Sequence, residues 1–564
     1  MKANFTCLLL SALLTLASCS GRDGKLPYRW VFVHGKNLVR TTDVEEIKEI
    51  VGTAAAHGLN GMVLSTGFDR LDLQGEEYFK GLAEVKKTCS ELGIEIIPLV
   101  FSVGYGSTLS HDPNLAAGLP VRDQLFVAGP DEARFVSDTP VRLVNGGFEA
   151  QADGKVIGFE QVGSLGEVIL PDGEDFKEGK VSLRFENFAD FDGQNAVLKQ
   201  TVAVKPWRSY VIRCWVKTEE LMPGRRFRIE ALGRERLVGE YIPRWGATND
   251  WTHLVLGFNS WNHDQLEISI GAPGARQGKL WIDGLEMEEV GLVNMLRRPG
   301  APVTVAAEAS GTIYNEGRDY GRIEDPELNC RFEHDGPSIK LLPGSRIKQG
   351  DRLRVSYYHG FMSVKGKGQK TTCPSEEKVF EIWRTQAGLL AKHVGAKKFF
   401  LDMDEVRAGG TCKACTDRGL TMGEIIGSCI SRQYELLEAA NPGAEVFIWS
   451  DMLDPNHNAG EDYHGRDYYY QAAGLYTGSW KYIPRELVIA CWYDRIKEKS
   501  LAHFSGLGHR TIAAAYYDAD DLENPKAWLE AMKGVPGASG IMYTTWVDKY
   551  ELLADFGDLV SGGR

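Results

Sequence analysis

The sequence predicts an α/β fold: a (β/α)8 barrel interrupted after its third strand by an inserted β-sandwich of jelly-roll type. Three observations predict it. Near both ends of the 564-residue chain, apolar strand patterns alternate with helical ones, the rhythm of parallel strands joined by helical crossovers. From about residue 141 to 290, short alternating runs are separated by Gly, Pro and Asn turns, the rhythm of an antiparallel sandwich. Three strand patterns precede the interruption and five follow it, which makes the eight that close a barrel. An open doubly wound sheet is the competing reading of the same alternation.

In chain order, residues 1–19 (MKANFTCLLLSALLTLASC) carry a lysine, an apolar stretch and small residues before a cysteine, the pattern of a secretory processing segment. Leu16, Ala17, Ser18 and Cys19 resemble the lipobox of bacterial lipoproteins, which implies lipidation at Cys19 and an exported protein anchored at the outer membrane or cell surface. Residues 28–104 hold the first barrel part: YRWVFVHG, a helix over Asp43 to His57, GMVLST, a helix over Glu76 to Leu92, and EIIPLVFSVG. The sandwich, 141–290, includes VLKQTVAV, YVIRCWVKT, FRIEALG, LEISIG and KLWIDGLEMEEV. Residues 291–357 form a small β-rich segment, and RLRVSYYHG is read as the last strand of the insertion. From 358 the alternation resumes through KKFFLDMDE, EVFIWSDM, ELVIACWYD, RTIAAAYYD and GIMYTTWVD. The helix after KKFFLDMDE starts at a capping box, Thr421 with Glu424, buries Ile425, Ile426, Cys429, Ile430, Leu436 and Leu437 on one face, and stops at Asn441-Pro442-Gly443.

A net charge of −13 with no basic block argues against a nucleic-acid partner. No later segment reaches the roughly 18 unbroken apolar residues of a spanning helix, so a lipid anchor is the one expected tie to a membrane. Of ten cysteines, Cys7 would be removed and Cys19 lipidated. Cys412 and Cys415 form a CxxC with Cys373 as a possible third member; a disulfide or a structural role is the main reading and zinc the alternative.

Catalytic groups of a barrel come from the C-terminal ends of its strands. On the fourth strand, Phe399, Leu401 and Met403 alternate with Phe400, Asp402 and Asp404, so the carboxylates turn inward, with Glu405 at the rim and Arg407 close behind. Later strand ends supply Trp449 and Asp451; Trp492, Tyr493 and Asp494; Tyr516, Tyr517 and Asp518; and Trp546 with Asp548. Aromatic faces stack on the C–H faces of sugars while carboxylates accept hydroxyl protons, so the set points to a glycan or oligosaccharide.

The adjacent Asp404-Glu405 resembles the Asp-Glu of family 20 glycoside hydrolases, the β-N-acetylhexosaminidases, whose fuller motif is His-x-Gly-Gly-Asp-Glu. That resemblance implies an exo-acting, retaining, substrate-assisted hydrolase without a cofactor. Glu405 would protonate the leaving oxygen. Asp404 would orient the 2-acetamido group, one of Tyr493, Tyr516 or Tyr517 would hold its oxygen, and Trp546 would floor the pocket. Asp402 has no counterpart and would pair with Arg407 or bind a hydroxyl. LVNGGFE (Leu143–Glu149), Trp207, Trp215, Trp251 and WIDGLEM resemble carbohydrate-binding modules of the family 4/9 type. Two alternatives remain open: a glycosidase with two protein carboxylates, Glu405 as acid opposite Asp494 or Asp518, and a non-catalytic glycan-binding surface lipoprotein.

Overall fold

A computed structural model describes residues 26–162, 167–188, 196–223, 226–234, 236–242, 245–362, 368–461 and 470–562. The leader and Cys19 lie outside the described residues. Among those described, no helix is long and apolar enough to cross a membrane.

Eight parallel strands close a barrel in chain order: Tyr28–Val33, Gly61–Leu64, Glu95–Val100, Lys398–Leu401, Glu445–Trp449, Val488–Cys491, Thr511–Tyr516 and Ala538–Thr544, hereafter barrel strands 1 to 8. Strand 3 pairs directly with strand 4 through Phe400 opposite Leu99 and Leu401 opposite Val100, although almost 300 residues separate them in sequence. The alternation read on strand 4 divides two cores. Phe399, Leu401 and Met403 join the layer between barrel and helices. Phe400 joins Trp30, Phe32, Phe447 and Trp449 in the barrel interior. Side-chain period two on a strand is what separates them.

The helices fall where periodicity puts them: Thr41–Ala56, Glu76–Leu92 and Met422–Ala440 among others. Thr421 and Glu424 form the reciprocal capping box. Ile425, Ile426, Cys429, Ile430 and Leu437 are buried on the inner face, and Leu436 is half-buried at its edge.

Between strands 3 and 4 the chain builds three large antiparallel sheets and a small hairpin, Gln151–Ala152 with Lys155–Val156. One five-stranded sheet runs in the order Asn249–Asn259, Ser209–Met222, Gln277–Glu289, Ser182–Phe185, Ile169–Asp172; its partner runs Leu237–Tyr241, Arg228–Leu232, Gln265–Gly271, Val197–Ala203, Glu160–Val162. They enclose one apolar core that includes Tyr210, Ile212, Cys214, Leu256, Ile268 and Leu280. The third sheet has six strands, drawn from both sides of the sandwich. Gly118–Ala128 and Glu132–Phe135, which precede the sandwich, share it with Thr304–Ala307, Ile313–Tyr314, Ile339–Lys340 and Arg352–Gly360, which follow it. RLRVSYYHG is therefore its central strand, hydrogen-bonded to Gly118–Ala128 on one side and Thr304–Ala307 on the other. A strand paired on both edges has no place left in a closed barrel.

The sandwich and the barrel touch at the mouth. Trp261 donates its indole N–H to Gln471 at 2.7 Å, both buried. The Arg236 guanidinium lies 3.9 Å over the Trp261 ring and donates to the Tyr470 carbonyl. Gln471–Ala472 in turn pairs with Ala408–Gly409 of the loop after strand 4, so the sandwich braces the segment that carries the carboxylates.

Candidate active site

The C-terminal rim of the barrel leaves its strands through strained backbone. Phe101 after strand 3, Glu405 after strand 4, Tyr516, Tyr517 and Asp518 at strand 7, and Asp548 after strand 8 all have positive φ. Such conformations cost a non-glycine residue about 1–2 kcal/mol each and cluster where a site over-determines the chain. The strand-3 loop also crosses strand 4 so closely that a Cβ at Gly104 would lie 2.2 Å from the Asp404 carbonyl oxygen. Only glycine permits that approach.

Glu405 is the reachable carboxylate, its side chain 26% exposed. The Tyr105 hydroxyl donates to its Oε2 at 2.5 Å and the Arg407 guanidinium pairs with its Oε1 at 2.7 Å. Its backbone is fixed at both polar atoms. The Glu405 N–H donates to Asp451 Oδ2 at 2.8 Å, and its carbonyl accepts from the Gln369 amide at 2.9 Å. Gln369 also donates to the Gly104 carbonyl at 2.8 Å and accepts from Arg407, clamping the two loops together.

Behind Glu405 the carboxyls crowd. Asp404 is buried; loss of hydration, then the charges of Asp402, Asp451 and Glu405, push its pKa well above the carboxylate range. Asp402 is pushed up to about 6, again mainly by loss of hydration, with Asp69 adding to the rise and Ser102 and Asp404 opposing it. Asp402 and Asp404 each shift the other's proton affinity. Two carboxyls this crowded resist ionising together, and of the two Asp404 is the one whose proton is held more tightly. Burial also raises Asp451, against hydrogen bonds from Asn458 and the Glu405 amide.

Aromatic rings surround the carboxyls. Trp449 is a buried floor, and Trp546, 37% exposed, packs 6.1 Å from it. His34 at the end of strand 1 lies 5.4 Å from Trp546. Trp492 and Tyr517 stack almost in parallel at 5.9 Å, and His457 stacks on Tyr493 at 4.6 Å. Burial and the charges of Glu405 and Asp404 push the Tyr517 hydroxyl upward, which keeps it a neutral donor.

Four predicted residues stand elsewhere. Tyr516 is buried in the layer between barrel and helices, stacked at 4.1 Å on Tyr543; strand period two would set it with the inward Ile512 and Ala514, but the alternation ends at Tyr516 itself, whose φ is positive. Asp518 accepts from the Thr545 hydroxyl and the Trp546 amide, so its carboxylate holds the turn after strand 8. Asp494 opens an exposed 3₁₀ turn. Asp548 pairs with Lys36 at 3.2 Å. Arg407, one of two partners considered for Asp402 beside a sugar hydroxyl, pairs with Glu405.

No family model matches the chain, and no curated protein matches it. Among solved structures, a rhamnosidase from Novosphingobium sp. PP1Y is 11% identical with a TM-score of 0.34, the match covering 95% of this chain and 58% of that one. A structure of a CBM4 module is 13% identical with a TM-score of 0.20, covering 26% of this chain and 97% of the module. A family 16 carbohydrate-binding module is 18% identical with a TM-score of 0.18, covering 22% of this chain and 86% of the module.

The sequence reading missed Tyr105, Gln369, Asp69, His34 and His457. His34 follows strand 1 directly and Tyr105 lies in the loop after strand 3, so the strand-end rule that found Glu405 reaches His34 and, one loop further, Tyr105. Gln369 carries no such signal, since it arrives from the far end of the insertion. A separate open cavity of about 570 Å³ beside the six-stranded sheet, lined by Arg297, Tyr314, Glu316 and Arg322 among others, contains none of the predicted residues.

Proposed function

We propose that this protein is a glycoside hydrolase that releases a β-linked N-acetylhexosamine from a glycan at the barrel mouth. The observation that carries the proposal is the contrast between two adjacent carboxyls: Asp404 buried where lost hydration and neighbouring charges push its pKa well up, and Glu405 partly exposed between Tyr105 and Arg407. Neighbouring carboxyls whose surroundings drive their protonation apart are the means by which one site does acid and base chemistry at one pH. Glycosidic cleavage asks for that pair of functions.

In this reading Glu405 addresses the glycosidic oxygen. The Asp402–Asp404 pair, carrying one charge, accepts the acetamido N–H and steadies the positive charge that builds as the acetamido oxygen attacks the anomeric carbon. Tyr517 or Tyr493 donates to that oxygen, and Trp546 supplies the face on which the ring stacks. Asp402, without a part in the family resemblance, thereby gains one as the charged member of the pair.

One observation favours a second reading. The ion pair with Arg407 and the hydrogen bond from Tyr105 both treat Glu405 as an acceptor, which suits a nucleophile or base, with Asp404 as the acid. Aryl β-N-acetylglucosaminide, β-N-acetylgalactosaminide, β-glucoside and β-galactoside separate the two. Turnover confined to the acetamido sugars supports substrate assistance; equal turnover of the plain hexosides supports two protein carboxyls and removes the first reading.

A further inference from the structure

Three cysteine sulfurs meet outside the carboxylate site. Cys373, Cys412 and Cys415 are all buried, with Sγ separations of 3.6 Å between Cys373 and Cys412, 3.8 Å between Cys412 and Cys415, and 3.9 Å between Cys373 and Cys415. A disulfide requires about 2.05 Å, and oxidising any one pair would leave the third sulfur alone beside it. A tetrahedral ion with Zn–S bonds of about 2.3 Å sets its sulfur ligands about 3.8 Å apart. All three edges of this triangle meet that length.

We propose that Cys373, Cys412 and Cys415 bind one zinc ion that staples the returning end of the insertion to the loop after barrel strand 4. Among the described residues no fourth His, Cys, Asp or Glu joins the group, so water takes the remaining position. An all-sulfur set is soft and excludes magnesium and calcium. Binding forms three Zn–S bonds and releases three thiol protons to solvent. Three thiolates exceed the charge of the ion by one, and a cation stands ready: the buried Arg298 guanidinium, whose charge acts on Cys373 and Cys412, is held by Glu376 and the Ala116 carbonyl.

The ligands come from segments that need joining. Cys373 precedes the helix Glu377–His393 and donates its amide to the Leu115 carbonyl at 2.8 Å. Cys412 caps the short helix Lys413–Thr416, which contains Cys415 and follows the Glu405–Arg407 stretch. The ion would fix that loop from its far end while Gln369 and Gln471 hold its near end.

The test is metal content and ligand-field spectroscopy on the full chain, so it stands whatever the enzyme acts on. After loading with zinc and desalting, about one ion per chain is expected. Cys373→Ser and Cys415→Ser should each retain below about a tenth of that, while Cys89→Ser, which removes a lone buried thiol, keeps it. Because a cysteine variant can misfold, the wild-type chain is also stripped and titrated with cobalt, which should give thiolate-to-metal charge-transfer bands saturating at one equivalent. Zinc retained by both serine variants, absence of the cobalt–thiolate bands, or a disulfide within the trio in the unreduced protein would each overturn the proposal.

Discussion

Burial beside Asp404 raises the pKa of Asp402, so ionising it costs the fold stability. Its proton is held more tightly in the folded chain, at about 6, than at the ordinary 3.8. The stabilisation is therefore fully present below about 3.8 and is lost as pH rises through 6. Asp402→Asn should flatten that decline and raise stability at pH 7.5 by about 1–2 kcal/mol, read from urea unfolding at pH 5 and 7.5, while lowering turnover. A variant that unfolds with the wild-type pH dependence would show that Asp402 is not the titrating group. The inward direction of Asp402 and Asp404 was legible from strict alternation on strand 4. Their raised pKa values were not, because they depend on burial and on Asp69 and Asp451, which reach the site from other strands and loops.

The loop after strand 4 works because its backbone is held at several points. Gln369 bridges the Gly104 and Glu405 carbonyls and receives Arg407. Gln369→Ala should leave the fold intact but let Glu405 drift, lowering kcat about tenfold to a hundredfold with a smaller change in KM; an unchanged kcat would remove Gln369 as a positioning residue. The helix Met422–Ala440 offers the contrasting case. Thr421→Ala removes a capping box and should cost about 1 kcal/mol of stability while leaving KM as it was, measured by denaturant midpoint and by initial rates. Helix caps and strand parity are local and can be read from a few residues. Gln369 and the cysteine triangle are products of chain crossings, and spacing alone gives no distance for them.

Across the whole molecule, a barrel interrupted in sequence between strands 3 and 4 keeps its closure because those two strands pair directly, and the insertion folds back on the mouth. The strand count and the sandwich rhythm were legible; the six-stranded sheet was not, because its strands come from both sides of the sandwich and pair at long range. Trp261 is the joint. Trp261→Ala removes its hydrogen bond to Gln471 and the surface under Arg236, and should cost about 3 kcal/mol with a loss of cooperativity between sandwich and barrel unfolding in calorimetry. A single unchanged transition would argue that the two are joined elsewhere.

The central claim is that Glu405, in a mouth lined by Trp492, Tyr517 and Trp546, drives glycosidic cleavage. The most direct measurement is the initial rate on aryl β-N-acetylglucosaminide for the wild-type chain and Glu405→Gln. The account predicts measurable wild-type turnover that falls about 10²–10⁴-fold in the variant. Glycan binding without turnover in the wild type, unchanged by Glu405→Gln, would contradict it and leave a glycan-binding protein built on a barrel.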